Sequence, residues 1–558
     1  MTTQNIRFFL FAAVGLIGML LYNAWQQDYP TKPAVMSSAI DAKDESPSLD
    51  DQEIPTVLAE KNKPEEKTAA TTVGDTHRYI QVKTDVFNLK IDTVGGDITH
   101  LILSDYAESQ ESYGEGYVLF DESATRYYVA QSGLTGEQGP DKRGVGRAKY
   151  HAAQPAFQLS EKDSQLFVDL HYHAMNHVDV TKRFIFNRGS YVIEVEYIVD
   201  NKGTQNYTGN FYARLKRQPS AEKGGGFLGI QTFTGAAVHT QDTPYKKLNF
   251  KDIAEKPFEQ SVKGGWAAMV EHYFVSAWIP NSEATNVYQA KEIQENIYMV
   301  GLVEPVLTVL PGEHKSIKTK LYAGPEITED LEPLAPGLDL AVDYGILWPI
   351  CQPIFWLLKK LFQLTQNWGA AIILVTVVIK LLFYKLSASS YRSMGNMRKL
   401  QPKMEALKER YGEDKQKFSQ AVMELYKKEK INPLGGCFPV LIQIPVFIAL
   451  YYVLLGSVEL REAPFIFWIT DLSAKDPYYV LPILMGASML IQQKLNPAPP
   501  DPVQAKVMMF MPVVFTALFL SFPSGLVLYW FVNNVLSILQ QWVITRKIEA
   551  TSKGHGAK

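Results

Sequence analysis

The sequence predicts a multi-domain protein, in which a polytopic α-helical membrane bundle of six spans is joined to a large all-β domain outside the membrane. Apolar runs of membrane-spanning length indicate the bundle, and alternation of apolar and polar residues indicates the β domain. The charges divide in the same way: residues 26–345 hold 31 Lys and Arg against 46 Asp and Glu, whereas the rest holds 24 against 12. This division favours two compartments.

The chain opens with an apolar segment, residues 6–25, that is long enough to form the first span. A cleaved signal peptide is the alternative, but no clear small-x-small cleavage site precedes the polar region. We therefore expect residues 1–25 to be an uncleaved membrane anchor. Residues 26–76 are rich in Pro, Glu, Lys, Ala, Ser and Thr and lack hydrophobic periodicity, which is typical of a flexible linker.

Residues 77–335 alternate between apolar and polar side chains. Leu89 and Ile91 have polar neighbours, and the pattern recurs along 166–172 and 191–199. Such alternation predicts half-buried strands, and the Gly and Asn turns between them predict a large β-sandwich with its own core.

The next segment, residues 336–366, contains the apolar run ILWPICQPIFWLL. The run is short, holds two prolines and is followed by Lys359 and Lys360, so it suits an interfacial helix on the outer face better than a span.

The segment 367–387, NWGAAIILVTVVIKLLFYKLS, has membrane-spanning length but carries a charge at Lys380. At a rise of 1.5 Å per residue, Lys380 lies about 9 Å inside the cytoplasmic end, where an ammonium costs on the order of 3 kcal/mol on insertion scales. Thr376 shares its helix face. We expect a polar cavity inside the bilayer at this level. A lysine that snorkels to the interface is the alternative.

Charge also predicts how the bundle is oriented. The segment 385–430 holds 12 Lys and Arg against six Asp and Glu, and the tail 546–558 is basic as well. By the positive-inside rule both lie in the cytoplasm, with both termini inside and the β domain outside. The five core spans within 367–545 are 367–387 and the apolar segments 433–455, 478–492, 507–522 and 526–544.

The basic segment 387–431 predicts a cytoplasmic helical hairpin that turns at Gly412. Its surface suits docking to an anionic partner such as ribosomal RNA or lipid head groups, and a charged hairpin that only sets the topology is the alternative. The apolar residues near helical spacing are Met397, Leu400, Met404, Leu407, Phe418, Val422 and Leu425.

Polar residues recur inside the predicted spans. Since lipid penalises exposed polar groups, they should face the bundle interior. Together with Lys380 they predict a hydrated groove, and interhelical hydrogen bonding is the alternative for any single residue. One stripe at i, i+4 spacing holds Tyr529, Asn533, Ser537 and Gln541, and the others are Gln443, Trp530, Asn534 and Gln540.

Signs of catalysis or metal binding are weak. His171 and His173 fall on the polar face of a strand, and GGGF at 224–227 lacks the ending of a phosphate loop. The two cysteines have no zinc-type spacing. We therefore expect no enzyme activity, no catalytic residue, no cofactor and no metal.

Long stretches of the chain resemble the YidC membrane-protein insertase family, of the Gram-negative type with a large periplasmic domain. The stretches are VFNLKIDTVGGDITHLIL, MRKLQPKMEALKERYG, KINPLGGCFPVLIQIPVFIALYYVLLGSVELR, DLSAKDPYYVLPILMG and FPSGLVLYWFVNN. The resemblance implies a periplasmic β-supersandwich similar to sugar mutarotases, and a five-helix core that encloses a groove open to cytoplasm and lipid. It implies an inner-membrane insertase and foldase that works alone or with the Sec translocon.

The resemblance also implies roles for residues and partners. Lys380 matches a basic groove residue that is arginine in many members, so the charge is kept and the bidentate fork is lost. Thr376 matches the family's threonine, and Trp530, beside Tyr529, matches a tyrosine reported to matter. Expected partners are nascent membrane proteins, the ribosome, the Sec translocon, the signal-recognition-particle receptor and membrane lipids. The implied hydrophobic slide is Leu441, Ile444, Phe447, Val514 and Leu518.

Two other classes of function stay open at this point. A secondary transporter could place Lys380 in an anion site, but the core spans show no obvious inverted repeat. A membrane-anchored periplasmic carbohydrate enzyme or chaperone is the other class. It needs an acid and a base that meet in one site of the β domain, and no motif in the sequence indicates such a pair.

Overall fold

The computed structural model describes most of the chain from Arg78 onward. The predicted anchor at 1–25, the linker at 26–76 and the GGGF run lie outside the described residues. The described chain forms two compact units, one ending at Val342 and the other beginning at Asp343. The described ranges are 78–107, 116–123, 126–136, 139–142, 144–174, 176–219, 233–411, 414–429, 438–496 and 502–555.

The first unit is a β-sandwich, as predicted. Its strands within the described ranges are β1 (Tyr79–Lys83), β2 (Phe87–Asp92), β3 (Asp97–Leu103), β4 (Tyr117–Ser123), β5 (Arg126–Leu134), β6 (His151–Ala152), β7 (Ala156–Gln158), β8 (Gln165–His173), β9 (Val178–Asn187), β10 (Val192–Asn201), β11 (Tyr207–Arg217), β12 (Gly235–Val238), β13 (Lys246–Leu248), β14 (Phe258–Lys263), β15 (Ala267–Val270), β16 (Phe274–Ile279), β17 (Thr285–Gln294), β18 (Ile297–Val309) and β19 (His314–Pro325).

These strands form two sheets of ten and nine strands. The orders are β14-β17-β18-β11-β5-β4-β3-β2-β1-β7 and β13-β12-β15-β16-β19-β10-β9-β8-β6. Neighbours pair antiparallel, except that β1 and β7 are parallel. Two short helices, α1 (Phe250–Glu255) and α2 (Thr328–Leu331), and a 3₁₀ turn at Leu338–Ala341 complete the described part of the unit.

The predicted alternation determines which side chains the sandwich buries. In β2, Leu89 and Ile91 are buried and Asn88 and Lys90 are exposed. Each buried apolar side chain contributes about 1.5–3 kcal/mol relative to exposure. The alternation prediction is confirmed.

Hydrogen bonds also join the two sheets. The Trp278 indole of β16 donates to the backbone carbonyl of Arg214 in β11 over 3.1 Å. The hydroxyls of Ser132 in β5 and Tyr197 in β10 lie 3.1 Å apart. The sheets therefore pack face to face around a core that includes polar contacts.

The two histidines on the polar face of β8 contact side chains of the neighbouring strand β9. His171 Nδ1 lies 3.0 Å from the Thr181 hydroxyl, and His173 Nδ1 lies 2.7 Å from an Asp179 carboxylate oxygen. Within the described ranges, no group of three or more His, Cys, Asp and Glu side chains could hold a metal ion.

The second unit is helical. Short 3₁₀ turns lie at Gly345–Leu347 and Val458–Leu460. Its described helices are α3 (Trp348–Thr365), α4 (Trp368–Leu382), α5 (Tyr384–Lys399), α6 (Gln401–Tyr411), α7 (Lys415–Lys428), α8 (Phe438–Gly456), α9 (Val480–Leu495), α10 (Pro502–Phe519) and α11 (Ser524–His555).

Helix α3 occupies the segment predicted to be interfacial. It contains Pro353 and buries Cys351, Ile354 and Leu358 against the bundle. It packs against α4 and α8. Its location at the membrane interface stays a prediction.

The helix in the predicted span 367–387 is shorter than the apolar run predicts. The Asn367 side chain caps α4 by accepting from the Ala370 amide at 2.9 Å, but the helix ends at Leu382. Helix α5 then starts at a bend of 68°. Helix α5 is polar and basic, and at this angle it does not continue the apolar run of α4.

Helices α6 and α7 form the hairpin stem. Met404 and Tyr426 are buried between them, and Lys403 Nζ lies 2.6 Å from a Glu429 carboxylate oxygen. Asp414 caps α7 by accepting from two backbone amides. All seven apolar residues named from the sequence belong to this cluster: Met397, Leu400, Met404, Leu407, Phe418, Val422 and Leu425.

Few described helices are long and apolar enough to cross a membrane by themselves. Ser524–Arg546 meets both conditions, and the bent pair α4–α5 meets them jointly. Shorter apolar helices cover Gln443–Gly456, Val480–Leu495 and Ala505–Phe519. Six spans therefore stay a prediction.

Candidate functional site

A cavity of about 440 Å³ opens among the helices of the second unit. Helices α5, α8, α9, α10 and α11 contribute to its wall. Amide, hydroxyl and methionine side chains dominate the lining, so it accepts both polar and apolar groups. The lining residues are Ser390, Tyr391, Met394, Gln443, Ile444, Phe447, Met489, Gln492, Gln493, Asn496, Met508, Met511, Pro512, Tyr529, Trp530, Asn533, Asn534 and Ser537.

Lys380 forms a hydrogen bond with a residue that lines this cavity. The residue is only 7% exposed, and its ammonium donates a hydrogen bond to the Ser537 hydroxyl over 2.7 Å. Ser537 in turn donates to the Asn533 carbonyl over 2.7 Å. Among the described residues no carboxylate pairs with this ammonium. A cation thus stands directly behind the polar wall.

Thr376 is buried one turn before Lys380 and does not line the cavity. Its hydroxyl donates to the backbone carbonyl of Ile372 over 2.6 Å. This back-bond satisfies the hydroxyl within α4. The structure therefore gives Thr376 a local contact and leaves its predicted groove role as a prediction.

A second polar contact joins α9 and α11. The Asn534 amide donates to the Ser488 hydroxyl over 3.0 Å, and that hydroxyl donates to the Met485 carbonyl over 2.6 Å. These contacts match the interhelical hydrogen bonding that was the alternative for a single Asn, although Asn534 also lines the cavity.

Aromatic rings form one side of the cavity. The rings of Phe447 and Trp530 meet edge to face at 4.5 Å, and Phe519 lies 5.2 Å from Trp530. Tyr529 is buried beside them. These contacts hold α8, α10 and α11 together at the level of the polar stripe.

Two residues of the predicted hydrophobic slide line the cavity, and two others lie outside its lining. Ile444 and Phe447 line the cavity, with Ile444 45% exposed. Val514 is 47% exposed on α10, and Leu518 is partly buried there, but neither lines the cavity. The side chain of Leu441 lies outside the described residues.

Sequence reasoning missed the contributions of α5, α9 and α10. The cavity wall also includes Tyr391, Met394, Gln493 and Met511. The polar run QQKLN at the end of an apolar segment was a signal for the α9 group. Nothing in the spacing of α5 indicated that its first turns would fold back over the bundle.

Large apolar side chains face outward around the helices. Ile483, Phe510 and Val513 are each about 60% exposed, at 59%, 60% and 59%. Such a surface is unfavourable in water and favourable against lipid. A polar cavity inside helices with an apolar exterior therefore suits a bilayer.

Comparison with known proteins decides the family. The families described as YidC periplasmic domain and 60Kd inner membrane protein match residues 79–357 and 360–552. A Pseudomonas putida (strain F1) protein called membrane protein insertase YidC is 49% identical over 558 residues, which cover 98% of this chain and 99% of the relative. The chain belongs to the YidC membrane protein insertase family. It is therefore an inner-membrane protein with a periplasmic β domain.

Other YidC proteins are similar. A membrane protein insertase YidC from Pseudomonas fluorescens (strain SBW25) is 48% identical over 556 residues, with 98% of each chain covered. A crystal structure of an active YidC insertase with the first transmembrane domain resolved is 18% identical, with a TM-score of 0.39 and coverage of 84% of this chain and 92% of that one. The two family matches and the identities of 48% and 49% to these insertases confirm the family resemblance found in the sequence.

Proposed function

We propose that this YidC-family chain inserts integral membrane proteins into the inner membrane and helps them fold, without a chemical reaction, through the cavity among α5, α8, α9, α10 and α11. The placement of Lys380 is the observation that supports this most. Its buried ammonium contacts Ser537, which lines the cavity.

The cavity chemistry explains how a hydrophilic segment can enter. Amide and hydroxyl groups replace part of its hydration, and Lys380 attracts acidic segments. The substrate's apolar span meanwhile moves along Ile444 and the outward apolar surface into lipid, which contributes about 0.025 kcal/mol per Å² buried. Transfer into lipid therefore drives release.

Partners and topology belong to the same proposal. Nascent membrane proteins are the substrates, and the basic α6–α7 hairpin and the tail receive them from the ribosome or the signal-recognition-particle receptor. The chain works alone or with the Sec translocon. Six spans place both termini and the hairpin in the cytoplasm, because Lys and Arg concentrate in these segments.

The test is insertion of a single-span substrate with an acidic outer segment into proteoliposomes. Wild type is compared with Lys380→Ala and Lys380→Arg, and with Lys385→Ala as a matched loss of an exposed charge. An ion pair at 4 Å corresponds to about 4 kcal/mol at an effective dielectric constant of 20. We expect Lys380→Ala to lower insertion more than 10-fold and both other variants to keep it.

A substrate with a neutral outer segment separates charge from structure. Lys380→Ala should insert it nearly as well as wild type does. Equal loss for both substrates would mean that Lys380 supports the bundle rather than attracting charge. If intact wild-type protein inserts neither substrate until the Sec translocon is added, independent insertion is wrong.

A further inference from the structure

A second pocket of about 220 Å³ lies beside the cavity, between α5, the end of α9 and α11. One water molecule needs roughly 10–15 Å³ of such space, so the pocket has room for a polar group of several atoms. Tyr391 and Met394 form a wall that it shares with the larger cavity. The full lining is Tyr391, Met394, Gly395, Arg398, Lys399, Leu495, Gln541 and Thr545.

Two cations and no carboxylate line this pocket. Arg398 and Lys399 end α5, and both are exposed. Neither forms an ion pair within the part of the chain that the structure describes. The pocket therefore presents uncompensated positive charge, which suits a phosphate oxygen.

Gln541 adds an acceptor in the buried wall. The residue is 3% exposed, and its amide nitrogen donates to the Leu495 carbonyl and the Asn496 side-chain oxygen, both at 3.1 Å. Its Oε1 accepts no hydrogen bond from the described residues. Because a buried acceptor without a donor is unfavourable, this oxygen indicates a ligand with a hydroxyl group.

Neighbouring residues of α11 mark the level of the lipid–water boundary. Trp542, next to Gln541, is 46% exposed, and the Arg546 guanidinium lies 4.1 Å from the centre of its ring. Leu539 and Val543 are exposed apolar residues on the same stretch. Tryptophan and arginine beside outward apolar residues are typical of a membrane interface.

From these observations we infer that the pocket binds the headgroup of an anionic phospholipid that carries a free hydroxyl, such as phosphatidylglycerol. The phosphodiester lies between Arg398 and Lys399, and the hydroxyl donates to Gln541 Oε1. An ethanolamine headgroup brings a cation toward these two charges and binds less well. Bound lipid would brace the α5 wall of the larger cavity.

The test is native mass spectrometry of the full-length protein in detergent with equal amounts of phosphatidylglycerol and phosphatidylethanolamine. Wild type is compared with Arg398→Gln/Lys399→Gln and with Lys408→Gln/Lys427→Gln, which removes two exposed charges from the hairpin. At about 5-fold per lysine or arginine, we expect the pocket variant to lose about 25-fold in preference for phosphatidylglycerol. The hairpin variant should keep it.

Gln541→Met tests the hydroxyl contact. It should lower the preference for phosphatidylglycerol over a phosphatidylmethanol control and leave the preference for anionic over zwitterionic lipid. Unchanged melting temperatures show that the variants are folded.

Three results would overturn the proposal. The first is equal loss of preference in the pocket and hairpin variants, which would mean that only surface charge matters. The second is free glycerol phosphate binding as tightly as the lipid, which would make a soluble phosphate the ligand. The third is that the pocket variant loses binding of a short RNA but keeps binding of phosphatidylglycerol, which would make the pocket a nucleic-acid contact.

Discussion

The buried carboxyl of Glu304 in β18 should make the free energy of unfolding of the periplasmic domain depend on pH. The residue is 8% exposed, and its Oε1 has no hydrogen-bonding partner among the described residues. Burial raises the pKa of its carboxyl from 4.5 to about 7. The folded domain therefore binds one more proton than the unfolded chain between these two values.

The sign and size of the effect follow from this difference. The free energy of unfolding should fall as pH rises from about 4.5 to about 7 and then level off, because the folded carboxyl ionises only at the higher pKa. At about 1.4 kcal/mol per pKa unit, the penalty above pH 7 is on the order of 3 kcal/mol. Glu304→Gln should remove it, since the amide has nearly the same shape and no charge.

Urea unfolding of a fragment covering residues 78–342 at several pH values measures this effect. We expect Glu304→Gln to be more stable than wild type at pH 8 by up to about 3 kcal/mol and to differ little at pH 4.5. Glu295→Gln, at an exposed position in the turn between β17 and β18, is the matched control and should change little at either pH. A Glu304→Gln gain that is equal at both pH values would refute the reasoning.

Three further predictions concern packing and buried charge. Gly486→Ala places a methyl group against the Thr516 hydroxyl, so it should destabilise the α9–α10 contact by about 1–3 kcal/mol in thermal melts, and adding Thr516→Ala should restore most of the loss. Ser537→Ala should lower the melting temperature more in wild type than in a Lys380→Met background, because the two residues share one hydrogen bond; an equal loss in both backgrounds would contradict that contact. Burial lowers the pKa of Lys182 to about 7, so the domain should gain stability as pH rises from about 7 toward 10.5, and a Lys182→Met fragment in urea titrations should lack this gain.

Alternation was sufficient to predict three strands of the sandwich, β2, β8 and β10. A strand places successive side chains on opposite faces, so Leu89 and Ile91 could be assigned to the core from spacing alone. The order of the nineteen described strands could not be predicted in this way, since β1 pairs in parallel with β7 and β5 lies beside β11 through long-range contacts.

Helical spacing likewise predicted the stripe on α11. Tyr529, Asn533 and Ser537 share one face because four residues make slightly more than one turn, and all three line the cavity. Spacing could not predict that the chain bends by 68° between α4 and α5 and brings Tyr391 and Met394 against the cavity. That arrangement depends on contacts between helices that are distant in sequence.

The sequence by itself determined the two-part architecture, the charge division and the presence of a lysine within an apolar run, because periodicity and composition are local properties. The tertiary structure decided which partner that lysine meets. Lys380 and Ser537 are 157 residues apart, and only the packing of α4 against α11 brings their atoms to 2.7 Å. Thr376 lies one turn earlier and is also buried, but its hydroxyl donates to the Ile372 carbonyl of its own helix, so the two residues have different environments in the fold.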